Sequence, residues 1–242
     1  MKEIKSKPAI LIGKGLPNYN EITPEQINKN IPALLKELYL EFNLLEEEIA
    51  ASLDDQKEIS WEVFMKPLQK LHEKLRWSWG VVGHLNSVCN SEELREAYSL
   101  NQPEIIRFSN KVGQSKVIYK ALNHLKTQKA RSLDPIQERI INSELKSMEH
   151  KGVGLEDKKK AEFNKNSERL AELSTQFENN VLDSTKEWSL LIKNKSELEG
   201  VPIRTLKVLA HAAQKSRKDQ SINNKKEDIA TSGPWLIGLD MP

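Results

Sequence analysis

The chain has 242 residues, of which 38% are hydrophobic and 30% are charged, and this composition is sufficient to bury a globular core. Its 37 Lys and Arg nearly cancel its 35 Asp and Glu, so net charge does not favour nucleic acid or an anionic membrane as a partner. The single cysteine, Cys89, excludes an intrachain disulfide and favours a reducing compartment. We find no signal-peptide pattern and no apolar span of bilayer length, so we expect a soluble cytoplasmic protein.

Residues 1–22 are predicted to form an extended arm. Four residues interrupt any periodic pattern there: Pro8, Gly13, Gly15 and Pro17. The first helix is predicted to begin at Thr23, which can act as N-cap in a Thr-x-x-Gln capping box completed by Gln26. Apolar residues then recur at steps of three and four, which places them on one helix face.

Residues 23–218 are predicted to be a helical domain. A second helix is expected from Ser60 to Val88, a short one from Ser91 to Tyr98, and another from Pro103 to about Leu125. The inner stripe of the second helix is predicted to consist of Val63, Phe64, Leu68, Leu71, Leu75 and Val82. Cys89 follows an apolar stretch and is predicted to be a small core residue.

Gly113 lies inside the predicted helix that starts at Pro103. Glycine is less favourable than alanine in a helix interior by about 1 kcal/mol, so either the helix breaks there or another residue packs closely against it. A further helix is predicted from Asp134-Pro135, a typical N-cap and first-turn pair, to the stretch Lys151–Gly154.

The longest helix is predicted from Leu155 to about Trp188, because no Gly or Pro intervenes. Its apolar stripe consists of Phe163, Leu170, Leu173, Phe177 and Val181. We expect the earlier helices to cover this stripe as antiparallel neighbours. A last helix is predicted from Ile203 to about Lys218.

Residues 219–242 are predicted to be a polar connection followed by the start of a strand. The run from Gly233 to Pro242 is apolar and bounded by Gly and Pro, which is typical of a strand. Nothing else in the sequence predicts a partner for it, and an unpaired strand leaves backbone groups without hydrogen bonds. We therefore expect the strand to belong to a remainder outside this chain. The predicted fold is an all-α bundle of long antiparallel helices with a short strand-like C-terminal tail.

One segment approaches a zinc-peptidase motif. In such enzymes a helix carries His-Glu-x-x-His, where two histidines one turn apart bind zinc and the glutamate is the general base. The segment His72-Glu73-Lys74-Leu75-Arg76 has arginine at the second ligand position, and a guanidinium repels the metal. The sequence therefore predicts no catalytic, cofactor-binding or metal-binding residue in this chain.

Other features of the sequence have structural interpretations. His84 is predicted to be a core or interface histidine, and the tryptophans Trp61, Trp77 and Trp79 are predicted to pack between helices. The segment Gly113-Gln114-Ser115-Lys116 lacks the preceding strand and the further glycine of a phosphate loop. The basic run Lys158–Lys160 is predicted to be a solvated helix face.

Six segments occur in the same order along this chain and in one known family. They are Gly15–Glu25, Trp79–Val88, Ser91–Tyr98, Leu170–Val181, Leu198–Pro202 and Gly233–Ile237. Together they resemble the N-terminal region of the oligopeptidase A and thimet oligopeptidase family. Because they extend over nearly the whole chain, the resemblance is more specific than any single motif.

The resemblance implies a zinc-dependent endopeptidase that cuts short peptides in a channel between two largely helical halves. This region would form one channel wall and exclude folded substrates, and its strand near Trp235 would pair with later segments. The family's zinc ligands and catalytic glutamate lie beyond the end of this chain, so no site residue is carried over and zinc is expected only in the full-length enzyme. The implied partners are short peptides and the catalytic half, without nucleic acid or membrane.

Two alternatives remain open from the sequence. The chain is either the inactive N-terminal part of such an oligopeptidase or a stand-alone helical module that binds peptides or proteins without catalysis. A separately encoded second half that reconstitutes the enzyme is a further possibility under the first alternative.

Overall fold

The structure is a computed structural model that describes residues 7–55, 57, 59–128, 133–216 and 232–239. The chain divides into two compact units, Met1–Leu173 and Ser174–Pro242. The helices are α1 (Pro24–Asp54), α2 (Lys66–Val88), α3 (Glu92–Gly113), α4 (Lys116–Gln128), α5 (Pro135–His150), α6 (Asp157–Glu187) and α7 (Ile203–Ser216). The strands are β1 (Ser189–Ile192) and β2 (Trp235–Gly238). The helical content confirms the predicted all-α fold.

The first unit is built around α1, which contacts α2, α3 and α4. Fully buried α1 side chains at steps of four and seven, Ile27, Ile31 and Leu38, line its inner face together with Phe42. This pattern confirms the predicted stripe, and Pro32 lies inside α1 without ending it. None of the helices in the described ranges is both long enough and apolar enough to cross a membrane.

The N-terminus of α1 has half of the predicted capping box. The Thr23 hydroxyl accepts a hydrogen bond from the Gln26 backbone N–H at 3.3 Å, which satisfies one of the free donors of the first turn. The Gln26 side chain instead accepts a hydrogen bond from Asn30 Nδ2 at 2.7 Å. The predicted reciprocal bond is therefore replaced by a bond one turn along the helix.

The second predicted helix has a π-helical first turn, Trp61–Met65, capped by Ser60. The Lys66 backbone N–H bonds to the Trp61 carbonyl, and Pro67 follows without an N–H of its own, so the i to i−4 ladder is interrupted there. The wider turn changes the helix phase. Phe64 is fully buried, whereas Val63 is 48% exposed, so the predicted place of Val63 in the inner stripe is wrong.

Helix α3 joins two segments that were predicted to be separate helices. It runs from Glu92 through Pro103 to Gly113 and is capped by Ser91. Both expectations for Gly113 are met, because the helix ends there and the Lys151 side chain lies against it. Cys89, which follows α2, is exposed, and its predicted core position is wrong because the chain has left the helix face that packs inward.

Helix α5 begins with the predicted cap. Asp134 Oδ1 accepts hydrogen bonds from the backbone N–H groups of Ile136 and Gln137, both at 2.8 Å, and Gln137 Oε1 accepts one from the Asp134 N–H at 3.1 Å. The helix ends at His150, and Gly152 follows with φ +81°. Glycine is favoured in this left-handed conformation.

Helix α6 has nearly the predicted bounds, but its apolar stripe is not covered as predicted. Phe163 is half-buried, whereas four residues of the stripe are exposed: Leu170, Leu173, Phe177 and Val181. The helical periodicity correctly indicated that these residues share a face. It carried no information about which element would cover that face, and the expectation that the earlier helices do so is wrong.

The second unit contains the two strands and α7. Strands β1 and β2 pair antiparallel, with Ile192 opposite Trp235 and Leu190 opposite Ile237. Helix α7 contacts β2, and the core of the unit consists of Ile192, Leu198, Leu206, Ala210 and Trp235. The prediction that the tail strand has no partner in this chain is therefore wrong. Four residues directly after a long helix give no recognisable strand pattern, and the predicted polar connection, residues 219–228, lies outside the described residues.

Candidate functional site

The near-motif for zinc places His72 and Arg76 one turn apart on α2. His72 is half-buried and Arg76 is exposed. Burial lowers the pKa of His72 below 6.5, the nearby Glu144 carboxylate opposes this shift, and Lys151 adds to it. Within the described ranges no three His, Cys, Asp or Glu side chains are arranged to hold a metal ion. One imidazole with a guanidinium at the second ligand position does not fit zinc.

An aromatic pocket of about 300 Å³ lies between the N-terminal arm and α2. Its lining consists of Tyr19, Glu73, Arg76, Trp77, Gly80, Val81 and His84. The arm turns at Tyr19–Glu21, where Asn18 Nδ2 donates a hydrogen bond to Glu21 Oε1. This turn places the Tyr19 ring 5.4 Å from the His84 ring. A cleft with aromatic walls and a few charged groups is suited to bind an apolar or aromatic side chain.

The tryptophans have different roles in the structure. Trp79 stacks on Tyr98 with the ring centroids 4.6 Å apart, and Trp61 packs against the main core, as predicted for both. Trp77 lines the aromatic pocket, and its Nε1 is buried without a hydrogen-bond partner in the described part of the chain. His84 is exposed beside Tyr19 of the arm, so its predicted core position is wrong.

A second cavity of about 540 Å³ lies where α3 ends and α4 begins. It is lined by basic residues of three helices, Lys111, Lys116 and Lys160, and by Glu46 and Glu47 of α1. Lysines and carboxylates therefore share this cavity, and their charges partly cancel.

The segment Gly113-Gln114-Ser115-Lys116 connects α3 to α4. Gln114 Nε2 donates hydrogen bonds to Asn164 Oδ1 at 2.7 Å and to the Lys151 carbonyl at 2.8 Å. The Ser115 hydroxyl accepts one from the Ile118 N–H at 3.1 Å and donates one to Glu46 Oε1. The Ser115 hydroxyl therefore connects the first turn of α4 to α1.

The residues that build these two cavities are not predictable from the sequence. Tyr19 was placed in a featureless arm, and the partners of Gln114 and Ser115 are 50 and 69 residues away along the chain. No local pattern connects residues at such separations. The aromatic spacing of α2 was the available signal for the pocket around Trp77 and His84.

Comparison with known proteins identifies the family. The sequence model described as "Neurolysin/Thimet oligopeptidase, N-terminal domain" matches residues 31–160, more than half of the chain. "Probable cytosolic oligopeptidase A" of Arabidopsis thaliana is 35% identical over 227 residues, which cover 93% of this chain and 30% of that protein. "Organellar oligopeptidase A, chloroplastic/mitochondrial" of the same plant is 33% identical over 241 residues, covering 99% and 29%.

A bacterial relative has a similar extent. "Oligopeptidase A" of Escherichia coli is 34% identical over 228 residues, which cover 94% of this chain and 30% of that protein. The chain thus spans about 30% of the length of these curated relatives. The family predicted from the six ordered segments is confirmed, and the chain belongs to the oligopeptidase A and thimet oligopeptidase family, in which it corresponds to the N-terminal domain.

Proposed function

We propose that this chain is the N-terminal helical part of a zinc-dependent oligopeptidase that hydrolyses short peptides. The observation that carries this proposal is the match to E. coli oligopeptidase A over 94% of the chain. In this proposal the helices form one wall of the peptide channel and admit only short, flexible substrates. Because the match covers 30% of that relative, we assign the reaction chemistry to a part of the enzyme outside these residues.

The zinc of the full-length enzyme would also be held outside this chain. The sequence contains no His-Glu-x-x-His, and the near-motif at His72 has the cationic Arg76 at a ligand position. We therefore propose that the chain alone does not hydrolyse peptides. Its proposed partners are the catalytic half and short peptides, with no nucleic acid or membrane, and its proposed location is the cytoplasm.

A further part of the proposal is that the two-stranded sheet is larger in the full-length enzyme. A sheet of two short strands is of marginal stability in water, and β1 and β2 have four residues each. We propose that later segments of the full-length enzyme extend this sheet.

A second candidate function is supported by the aromatic pocket. A pocket formed by Tyr19, Trp77 and His84 favours a stand-alone module that binds peptides without cutting them. Titration of the chain with short aromatic peptides tests this alternative. It predicts saturable binding that Trp77→Ala weakens and no cleavage in any mixture.

A chimaera tests the leading proposal. The chain is fused in place of the matched N-terminal region of E. coli oligopeptidase A, and cleavage of a quenched short peptide is measured with and without a zinc chelator. The proposal predicts cleavage by the chimaera that the chelator abolishes. A well-folded chimaera without cleavage would contradict it.

A further inference from the structure

The second half of α6 has an exposed apolar face. Phe177 is 70% exposed, Val181 is 48% exposed, and Trp188, directly after the helix, is 45% exposed. The Trp188 N–H bonds to the Ser184 carbonyl at 3.3 Å, which continues the helical turn. At 3.6 residues per turn, the three positions lie within about 40° of one another around the axis. We refer to Phe177, Val181 and Trp188 as the α6 apolar face.

The α6 apolar face is free of charge. The other residues within about 60° of the centre of this face are Ser174, Ser184 and Thr185, all uncharged. The charged residues of this half of the helix lie about 80° or more from that centre: Glu178, Asp183, Lys186 and Glu187. Depletion of charge around aromatic and aliphatic side chains is typical of the centre of a buried interface, and single exposed apolar residues elsewhere need no such explanation.

We propose that the α6 apolar face is a docking surface for the polypeptide that follows the matched region in oligopeptidase A. This inference rests on the proposed function. The matched region is 30% of the relatives, so the larger part of such a protein lies outside this chain and is available to cover the face. The docked segment presents apolar, uncharged side chains, because a charge buried against this face would have no partner.

A second copy of the chain is the competing occupant. A covalently linked segment is present at an effective concentration in the millimolar range when the linker spans the sites. A second copy reaches the face only at its bulk concentration. The linked polypeptide is therefore the favoured occupant in the full-length enzyme.

Thiol accessibility tests the proposal. In a Cys89→Ser background, Val181→Cys reports on the α6 apolar face. Val208→Cys is the matched control, because Val208 is 62% exposed on α7 in the same unit. The rate of maleimide labelling is measured for the chain alone and for the E. coli chimaera. We expect labelling at position 181 to be at least about tenfold slower in the chimaera, and labelling at position 208 to change by less than about twofold, since thiol reactivity follows access.

Two results would overturn the proposal. One is an equal labelling rate at position 181 in the chain and in the chimaera. The other is protection in the chain alone that rises with protein concentration, since a second copy would then cover the face. Peptide cleavage by the same chimaera distinguishes this inference from the proposed function. Cleavage without slower labelling at position 181 overturns the inference alone. Slower labelling at position 181 without cleavage contradicts the proposed function alone.

A second measurement covers the case in which the cysteine variants fold poorly. Val181→Asp and Val208→Asp are compared by thermal unfolding of the chimaera. We expect Val181→Asp to lower the midpoint by about 4 °C or more relative to Val208→Asp, because it places a charge in an interface. Equal midpoints would overturn the proposal. Chimaeras are made with both the E. coli and the Arabidopsis cytosolic relative. If neither chimaera unfolds cooperatively, the result also counts against the docking proposal.

Discussion

Lys151 lies directly across Gly113. A Cβ added to Gly113 would be 2.3 Å from Lys151 Cδ and 3.3 Å from Lys151 Cβ. Lys151 Nζ donates a hydrogen bond to Ser109 Oγ at 3.2 Å, and the Lys151 carbonyl accepts one from Gln114 Nε2 at 2.8 Å. The close approach therefore joins the end of α3 to the residue that follows α5, and the absence of a side chain at Gly113 makes it possible.

Replacement of Gly113 tests the close approach. Gly113→Leu places a side chain where Lys151 lies, so we expect the free energy of unfolding to fall by about 1–3 kcal/mol through overpacking. The control is Gly83→Ala, because Gly83 is inside α2 and a Cβ there meets no atom within 4 Å. Alanine is a better helix former than glycine by about 1 kcal/mol, so this control is expected to be stabilising. Urea unfolding measures both changes, and a neutral Gly113→Leu would show that Lys151 moves aside freely.

His72 is expected to make stability depend on pH. Burial lowers its pKa below the usual 6.5, so the stabilising contribution of neutral His72 is complete above pH 6.5 and is lost as the pH falls through the lowered pKa. We expect His72→Gln to reduce the loss of stability between about pH 7.5 and pH 5. Urea midpoints at both pH values measure the effect. An identical pH dependence in the wild type and the variant would contradict this role.

The helix starts were predictable because their signals are local. Thr23, Ser60, Ser91 and Asp134 each cap the helix that was predicted to follow, and each bonds to a backbone N–H two or three residues ahead. The pairing of β1 with β2 was not predictable. Its partners, such as Ile192 and Trp235, are far apart along the chain, and each strand is too short to show an alternating pattern.

The candidate site was less predictable than the fold. The tryptophan spacing of α2 indicated packing, which is correct for Trp79, but it did not reveal the pocket that Trp77 shares with Tyr19 of the arm. The long stripe of α6 indicated a buried face, although Phe177 and Val181 are exposed. Periodicity identifies an apolar face, whereas the element that covers it is determined by tertiary packing.

Trp235 is expected to contribute most of its stabilising effect through packing in the core of the second unit. Its side chain is 1% exposed, it lies opposite Ile192 in the sheet, and it packs in the small core with Leu206. We expect Trp235→Ala to cost about 3–5 kcal/mol and to increase amide hydrogen exchange in β1. The control is Leu239→Ala, since Leu239 is 54% exposed beyond the end of the same strand and a surface change costs less than about 0.5 kcal/mol. Equal exchange in both variants would contradict this role.

The chain is expected to hold no stoichiometric zinc. After dialysis, metal analysis of the purified chain is predicted to give well below one zinc per chain, because Arg76 stands where the motif requires a second histidine. The E. coli chimaera, treated in parallel, is the positive control and is expected to retain the metal. One tightly held zinc per isolated chain would overturn the assignment of the metal to another part of the enzyme.

The most direct test of the proposed function is zinc-dependent peptide cleavage by the chimaera with E. coli oligopeptidase A. One quenched short peptide is assayed before and after chelation with three proteins: the chain alone, the chimaera, and a chimaera variant. In the variant, the glutamate expected to be the family's catalytic base is replaced by glutamine. We predict cleavage by the intact chimaera only, loss of this cleavage on chelation and its return with added zinc. Cleavage by the chain alone, or a cooperatively folded chimaera that cleaves nothing, would contradict the proposed function.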